Sequence, residues 1–384
     1  MSQVVIAPDK FKGSLSAPEV AAHVAAGLRR ARPGLDVREV PVADGGDGTL
    51  DAALAAGFTR VPVRASGPTG EAVDTAYARR GGTAVVELAD VSGLSRLPGR
   101  RLAPLAATSF GTGEVIRAAL DDGCRTIVLG LGGSACTDGG AGMARALGVR
   151  LLDPDGADLS PGGAALTRLA TADVSGLHPA VAEADIVVAS DVDNPLLGEH
   201  GAAAVYGPQK GADTEQVALL DAALARWAEV LQRDTNVDPA TATRPGAGAA
   251  GGVGFAALAL LGAVLRPGIE YLLDLVGFHR QLAGASLVVT GEGSLDEQTL
   301  RGKAPAGVAA AAHAAGVPVV AVAGRCLLAS ETLTASGFAA AYALTDIESD
   351  PRRCVAEAGP LLERLATDRL AAIIDTDTHL EETR

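Results

Sequence analysis

Short apolar runs that end at Gly, Asp or Ser recur along this chain, and most lead into an alanine-rich helical segment. VVIAP (4–8) is followed by SAPEVAAHVAAGLRRA, VREVPVADGG (37–46) by TLDAALAAG, and RTIVLGLGG (125–133) by a segment carrying GMARALG. DIVVASDVDNP (185–195), SLVVTGEGS (286–294) and VPVVAVAG (317–324) continue the series. Strands this uniformly apolar are buried on both faces, which calls for helices on both sides of a mainly parallel sheet. The alternation predicts an α/β protein. In such sheets ligands bind beyond the carboxyl ends of the strands. Most of the glycine- and acid-rich segments fall at those ends. Ser16 and Glu19, with Pro18 between them, predict a capped helix start after the first run.

Residues 60–108 break the pattern. VPVRASGP, VDTAYARR and TAVVELAD read as shorter strands joined by turns, which places a domain boundary near 65. A return near 284 lets the last strands join the first ones. At 384 residues the chain is long for one domain. The expected layout is two α/β domains with mainly parallel sheets. One is discontinuous and doubly wound, flavodoxin-like, from residues 1–65 and 284–384. The other, 66–283, is inserted. The polar end TDTHLEETR is expected to fray.

A net charge of −14 argues against a nucleic-acid or anionic-membrane partner, so any anion must be met in a local pocket. Cys124, Cys136, Cys326 and Cys354 show no CxxC spacing, which points away from a zinc site or redox motif. MSQVVIAPDK lacks the basic-then-apolar order of a signal peptide. The longest apolar stretch, 253–265, is broken by glycine and ends at Arg266 and Pro267, so no membrane span is expected. The expected setting is the cytoplasm, with reduced thiols.

Lysine is rare. Lys10, Lys12, Lys210 and Lys303 are the four lysines among 32 basic residues, and all lie in glycine-bearing turns: APDKFKG, GPQKGA and LRGKAP. An ammonium is a compact point charge and a guanidinium a planar fork, so retention of lysine marks sites that need an ammonium. If APDKFKG is extended, residues 10 and 12 point the same way, about 7 Å apart. Two ammonium groups at that distance repel by roughly 2 kcal/mol at an effective dielectric of about 20. A bound phosphate or carboxylate would reverse the sign. Ser14, Ser16 and a helix N-terminus follow, which suits an anion.

GLGGSACTDGGAG (130–142) is a glycine-rich strand-to-helix turn, where backbone N–H groups and a helix dipole can meet a phosphate. It is not a Walker A loop. Gly130, Gly132 and Ala135 fit a loose GxGxxA dinucleotide fingerprint, with Asp153 about 20 residues on. Three acidic turns, ADGGDGT (43–49), SDVDNP (190–195) and GEGSLDEQT (291–299), each sit past an apolar run. Carboxylates there suit Mg²⁺ or a general base. Asp47 and Asp51 read as turn or cap residues. Asp191 and Glu292 each follow a strand-like run; Asn194 is one of only two asparagines in the chain, and Pro195 stiffens the turn after Asp191. AGAAGGVGF (247–255) is either a close-approach segment or small-residue helix packing. The six histidines form no cluster.

Together these stretches resemble the bacterial glycerate kinase family, type 1, which is unrelated to the larger kinase superfamilies. The resemblance rests on APDKFKGSLSA, ADGGDGT, TSFGTGEVI, GGSACTDGGAGM, DVDNPLLGEHGAA, YGPQKGA, GAAGGVGF, GEGSLDEQTLRGKAP and AVAG, in order from residue 7 to 324. Cys136 stands where the family pattern leads one to expect Thr or another small residue. The resemblance implies ATP-dependent phosphorylation of D-glycerate to 2-phosphoglycerate. It also implies two α/β domains, one built from both chain ends, with the active site in the cleft between them.

Phosphoryl transfer needs in-line positioning and neutralisation of charge. On that reading the turn bearing Gly132, Gly133, Ser134, Thr137, Gly139 and Gly140 takes the ATP phosphates. Lys12 and Lys303 stabilise the γ-phosphoryl or the substrate carboxylate, with Lys10, Ser14, Lys210 and Asn194 as further binding residues. Mg²⁺ is held by Glu292 with Asp44 or Asp296, and Asp191 is the general base. Cys136, at a helix N-terminus, is expected to have a lowered thiol pKa and to be shielded by MgATP. The protein is expected to act on small molecules as a monomer or homodimer. The rival readings are a dinucleotide-dependent oxidoreductase using the turn at 130–135, a kinase giving 3-phosphoglycerate, and a non-catalytic sugar-acid sensor.

Overall fold

The structure, a computed structural model, describes residues 3–300 and 302–374. The TDTHLEETR end lies outside the described residues. In chain order the strands are β1 (Gln3–Pro8), β2 (Asp36–Glu39), β3 (Thr59–Ser66), β4 (Ala72–Arg80), β5 (Thr83–Glu87), β6 (Thr126–Gly130), β7 (Arg150–Leu152), β8 (Thr171–Asp173), β9 (Asp185–Ala189), β10 (Val264–Arg266), β11 (Ala285–Leu295), β12 (Val319–Cys326) and β13 (Ala340–Ala343). Two compact units result. Met1–Asp44, Asp51–Gly57 and Ile269–Arg384 form the first; Gly45–Leu50 and Phe58–Gly268 form the second.

The first unit carries a five-stranded sheet in the order β13-β12-β11-β1-β2, with every pair parallel. Renumbered within the unit, this is 2-1-3-4-5, the flavodoxin-like order, and the direction of winding reverses between β1 and β11. Val4, Ile6, Val289, Val320 and Val322 fill the core against Val20, Val24 and Leu28 of the helix Ala17–Ala31. Leu361, Leu362 and Leu365 of the helix Ala358–Leu365 join the same core. The expected capping box is present: the Ser16 N–H donates to Glu19 Oε2 at 2.8 Å, and the Ser16 side chain accepts from the Glu19 N–H. Such a cap contributes about 1 kcal/mol and fixes where the helix starts after the 11–15 turn.

The second unit has a six-stranded sheet in the order β10-β9-β6-β5-β4-β3. β5, β6, β9 and β10 are parallel, while β3, β4 and β5 run as an antiparallel meander. β7 and β8 pair separately, antiparallel. Val86, Ile116, Ile127, Leu129, Met143, Ile186 and Val188 pack one core; Leu220, Leu224, Trp227, Leu231 and Phe255 centre another. Glu87 pairs with Gly130 and Gly130 with Ala189, so β5, β6 and β9 end level at one edge. The glycine-rich turn and the segment with Asp191 leave from that edge.

The chain passes between the units at 44/45, 50/51, 57/58 and 268/269. β3 pairs with β4 along its whole length, from Thr59 opposite Arg79 to Ser66 opposite Ala72, which holds it in the second unit. At the other end the helix Gly268–Val276 turns Ile269, Leu272 and Leu273 inward. Ile269 seats on Gly307, where an added Cβ would lie 2.4 Å from the Ile269 Cγ1. No helix among the described residues is long and apolar enough to cross a membrane.

Candidate active site

At the reversal in the first unit, β1 ends at Pro8 opposite Gly291, and β11 continues to Leu295. The Asp9 N–H donates to the Gly291 carbonyl at 2.8 Å, so Asp9 leaves β1 next to Glu292 of β11. Asp9 is 6 % exposed; its Oδ1 accepts the Lys10 N–H at 2.7 Å and lies 3.7 Å from the Lys10 ammonium. Burial pushes the Asp9 carboxyl up to about 7, against the pull of Lys10, and the charges of Asp44 and Glu292 push the same way as burial. Glu292 is also buried, and burial raises its carboxyl despite the opposing Thr299 hydroxyl and Lys303. Thr299 Oγ1 donates to Glu292 Oε1 at 2.5 Å, and the Lys303 ammonium is 3.5 Å from Oε2. Lys303 immediately precedes the helix Ala304–Ala314.

The lysine pair differs from expectation. Phe11 and Leu15 close a turn through two backbone bonds of 2.9 and 3.1 Å, so the chain is not extended through 10–12. Lys12 is exposed in this turn, while Lys10 is half-buried against Asp9. Gly13 has φ of 86°, which the turn requires and which glycine adopts freely. Ser14 Oγ donates to the Phe11 carbonyl at 3.1 Å, and Asp296 Oδ1 accepts the Gln298 N–H at 2.9 Å. Both shape their own turns, and Asp44 is half-buried. Among the described residues, no three His, Cys, Asp or Glu side chains converge as a metal cage. Asp44 and Glu292 both lie near enough to Asp9 to raise its carboxyl, and such carboxylates are the donor type that Mg²⁺ takes jointly with substrate phosphates. Glu292 and Asp44 fit that part better than Asp296.

In the second unit, β6 ends at Gly130 and residues 131–140 wind to a helix of six residues, Ala141–Ala146. So short a helix supplies little dipole. Only Gly132 and Gly133 reach the surface; residues 134–140 are buried. Gly132 is closed in by the 45–50 segment: its N–H donates to the Gly45 carbonyl at 3.2 Å, and an added Cβ would stand 2.4 Å from Gly46 Cα. Glu87, 5 % exposed, holds that segment by accepting the Gly48 N–H at 3.1 Å and the Leu50 N–H at 2.8 Å. Burial, aided by Asp47 and Asp90, pushes Glu87 up to about 7 against those two bonds.

The interior of the turn is tightly bonded. Lys210, 2 % exposed, donates to Ser134 Oγ at 2.8 Å and to the Cys136 carbonyl at 2.5 Å. Asp138 Oδ2 accepts from the Ser109 N–H at 2.8 Å, and its Oδ1 from the Gly140 N–H at 3.1 Å. Trp227 Nε1 donates to the Gly139 carbonyl at 3.0 Å. Ser134, Gly139 and Gly140 are therefore bonded from inside, Thr137 Oγ1 is buried without a hydrogen-bond partner, and the outward part of the turn is Gly132–Gly133. Cys136 is buried, and burial drives its thiol pKa up, with Asp138 adding and Lys210 opposing. The expected lowering is overturned, because burial keeps the sulfur from solvent and Asp138 adds to that effect.

Asp191 is exposed after β9, with Oδ1 accepting the Gly268 N–H at 2.8 Å. Asn194 is engaged within its loop: Nδ2 donates to the His200 carbonyl at 2.8 Å and Oδ1 accepts the Tyr206 hydroxyl at 2.6 Å. Asp153 Oδ1 accepts the N–H groups of Asp155 and Ala157, both at 3.0 Å, and Oδ2 accepts from Arg168. The acidic member of the dinucleotide fingerprint is thus occupied in a local turn. Sequence reading missed Asp9 and Glu87, although each is the first acid at the end of an apolar run, the same signal that marked Asp191.

Parallel strands that bring ammonium groups and carboxylates to their carboxyl ends suit transfer of a charged group, and comparison with known proteins gives the class as a kinase. The chain belongs to the glycerate kinase family, whose model matches residues 4–374. It is 42% identical over 369 residues to the glycerate kinase of Halalkalibacterium halodurans, covering 95% of this chain and 97% of that one. It is 44% identical over 327 residues to the glycerate 2-kinase of Escherichia coli K12, covering 84% and 85%. A crystal structure of a chain assigned as glycerate kinase 2 from Salmonella typhimurium LT2 superposes with a TM-score of 0.83 at 42% identity, covering 98% and 99%.

Proposed function

We propose that the chain transfers the γ-phosphoryl group of ATP to D-glycerate, giving 2-phosphoglycerate, with Mg²⁺ as the metal. The observation that carries this reading is the Glu292–Lys303 pair, 3.5 Å apart, with buried Asp9 at the reversal of strand order. Strand ends at such a reversal are where α/β sheets bind ligands. Lys12 and Lys303 neutralise charge on the transferred group or the substrate carboxylate, and Lys10 adds to the local positive charge. Glu292 with Asp44 would hold Mg²⁺, which lowers the charge on phosphate oxygens. The second unit contributes Gly132–Gly133 toward the ATP phosphates and Asp191 as base for the glycerate hydroxyl. The relative named glycerate 2-kinase supports the 2-position over the 3-position. The oxidoreductase reading loses its ribose ligand, since Asp153 is bound to its own turn. The reaction is placed in the cytoplasm, carried out by a monomer or homodimer.

The test is ³¹P NMR of the product formed from ATP, Mg²⁺ and D-glycerate. A 2-phosphate couples to one proton and appears as a doublet; a 3-phosphate couples to two and appears as a triplet. A triplet would move the reaction to the other hydroxyl. Absence of glycerate-dependent ADP formation would remove the reading altogether.

A further inference from the structure

Lys210 is among the largest fully buried side chains, in the company of Trp227 and Tyr77. Its ammonium has two acceptors, Ser134 Oγ at 2.8 Å and the Cys136 carbonyl at 2.5 Å, and both are neutral. Among the described residues it forms no ion pair; Asp138 acts on it only at longer range. Removing an ammonium from water without a carboxylate partner is costly, and a methionine would fill the same volume without that cost. Burial accordingly holds the Lys210 pKa below its ordinary value. The site is also crowded: an added Cβ on Gly251 would lie 2.1 Å from the Cys136 carbonyl and 2.9 Å from the Lys210 ammonium. A planar guanidinium has no room there. Both acceptors belong to the turn whose accessible part, Gly132–Gly133, directly precedes Ser134.

We propose that Lys210 is the positioning residue of this turn: from inside the unit it fixes Ser134 and Cys136, so that Gly132–Gly133 hold the shape and positive potential that receive the nucleotide phosphates. It never touches the nucleotide. This rests on the kinase reading above and deepens it, because it assigns the cost of the buried charge to the affinity for a polyanion. The unit also carries its own reporter. Trp227 is the chain's single tryptophan, and its indole N–H donates to the Gly139 carbonyl within the same turn.

The test compares the wild type with Lys210→Met and Ser134→Ala, using steady-state kinetics and Trp227 fluorescence during ADP titration. Lys210→Met is expected to raise the KM for ATP at least tenfold, with kcat within about threefold and the KM for glycerate unchanged. The ADP concentration that shifts Trp227 emission should rise by the same factor as the KM. Ser134→Ala removes one acceptor without burying anything and should raise the KM for ATP about threefold; it carries the test if Lys210→Met does not fold. An unchanged KM for ATP in both variants would overturn the proposal, as would a fall in kcat with KM unaltered, which marks contact with the moving phosphoryl group. If the wild type itself shows neither glycerate-dependent ATP turnover nor an ADP-dependent Trp227 signal, the kinase reading fails instead.

Discussion

The two units place their charges at opposite depths. At the end of β1 and beside it in β11 the cations are the more exposed: Lys12 is exposed and Lys303 a third exposed, while Asp9 and Glu292 are buried. At the end of β6 the cation lies inside: Lys210 is buried and only glycine backbone faces out. An exposed lysine can touch a ligand and take part in the reaction. A buried one can only hold the surface that the ligand meets. The difference separates side chains expected to affect kcat from those expected to affect KM, although all four lysines look alike in the sequence.

The largest effect is expected at Asp191, the exposed carboxylate of the second unit's edge. A positioned base is worth about 10²–10⁴ in rate. Asp191→Asn keeps the shape and the bond from the Gly268 N–H, so kcat should fall within that range with little change in either KM. A mutant that recovers at high Mg²⁺ would place Asp191 with the metal ligands. Normal kcat at ordinary Mg²⁺ would make the second unit a purely binding one.

Next comes Glu87, the buried carboxyl that holds the 45–50 segment. Its folded value, about 7, lies above the ordinary 4.5, so the folded state keeps a proton that the unfolded chain releases. Its contribution to stability is therefore complete below about 4.5 and lost as pH rises to about 7. The loss is bounded by roughly 3 kcal/mol. Glu87→Gln should flatten urea midpoints measured between pH 5 and 8, raising the value at pH 8 and leaving pH 5 nearly unchanged. An unaltered slope would mean that the two backbone N–H groups already compensate the charge.

Lys12→Arg sharpens the contrast between the lysines. A planar fork cannot take the place of a point charge against a phosphoryl group. A loss of about tenfold in kcat/KM, or roughly 1.4 kcal/mol, is expected, and it should fall mainly on kcat. Full activity would show that the turn at 11–15 only needs positive charge. Arg29→Lys, on the helix Ala17–Ala31, should be silent.

How far the sequence discloses this arrangement depends on the range of the contact involved. Strand ends, the Ser16–Glu19 cap and the candidacy of Asp191 and Glu292 depend on neighbours within a few residues, so spacing reveals them. The depth of Lys210 does not. It is set by Ala250–Gly252, three successive residues with positive φ, which pack onto 136–139 from more than 80 residues away. In sequence those residues are only small and apolar. The helix Gly268–Val276 was hidden for a similar reason, because its buried face matters only once it meets Gly307.

The smallest effect is expected at Cys136, and it bears directly on which parts of the turn face outward. A thiol reacts as thiolate, and Cys136 is held protonated by burial, with its sulfur 3.8 Å from the Ala250 carbonyl. Cys124 and Cys354 are buried too, whereas Cys326 is half-exposed at the end of β12. Titration of the native protein with a thiol reagent should find one fast thiol, abolished by Cys326→Ala. MgATP should not alter the rate at Cys136, and activity should persist while that thiol stays unmodified. Urea should make all four cysteines reactive. Fast modification of Cys136 that MgATP suppresses would contradict this picture, because it requires the turn to open and present 134–140 to the nucleotide. Lys210 would then come within reach of the phosphates, and the second unit's cation would act as the first unit's do.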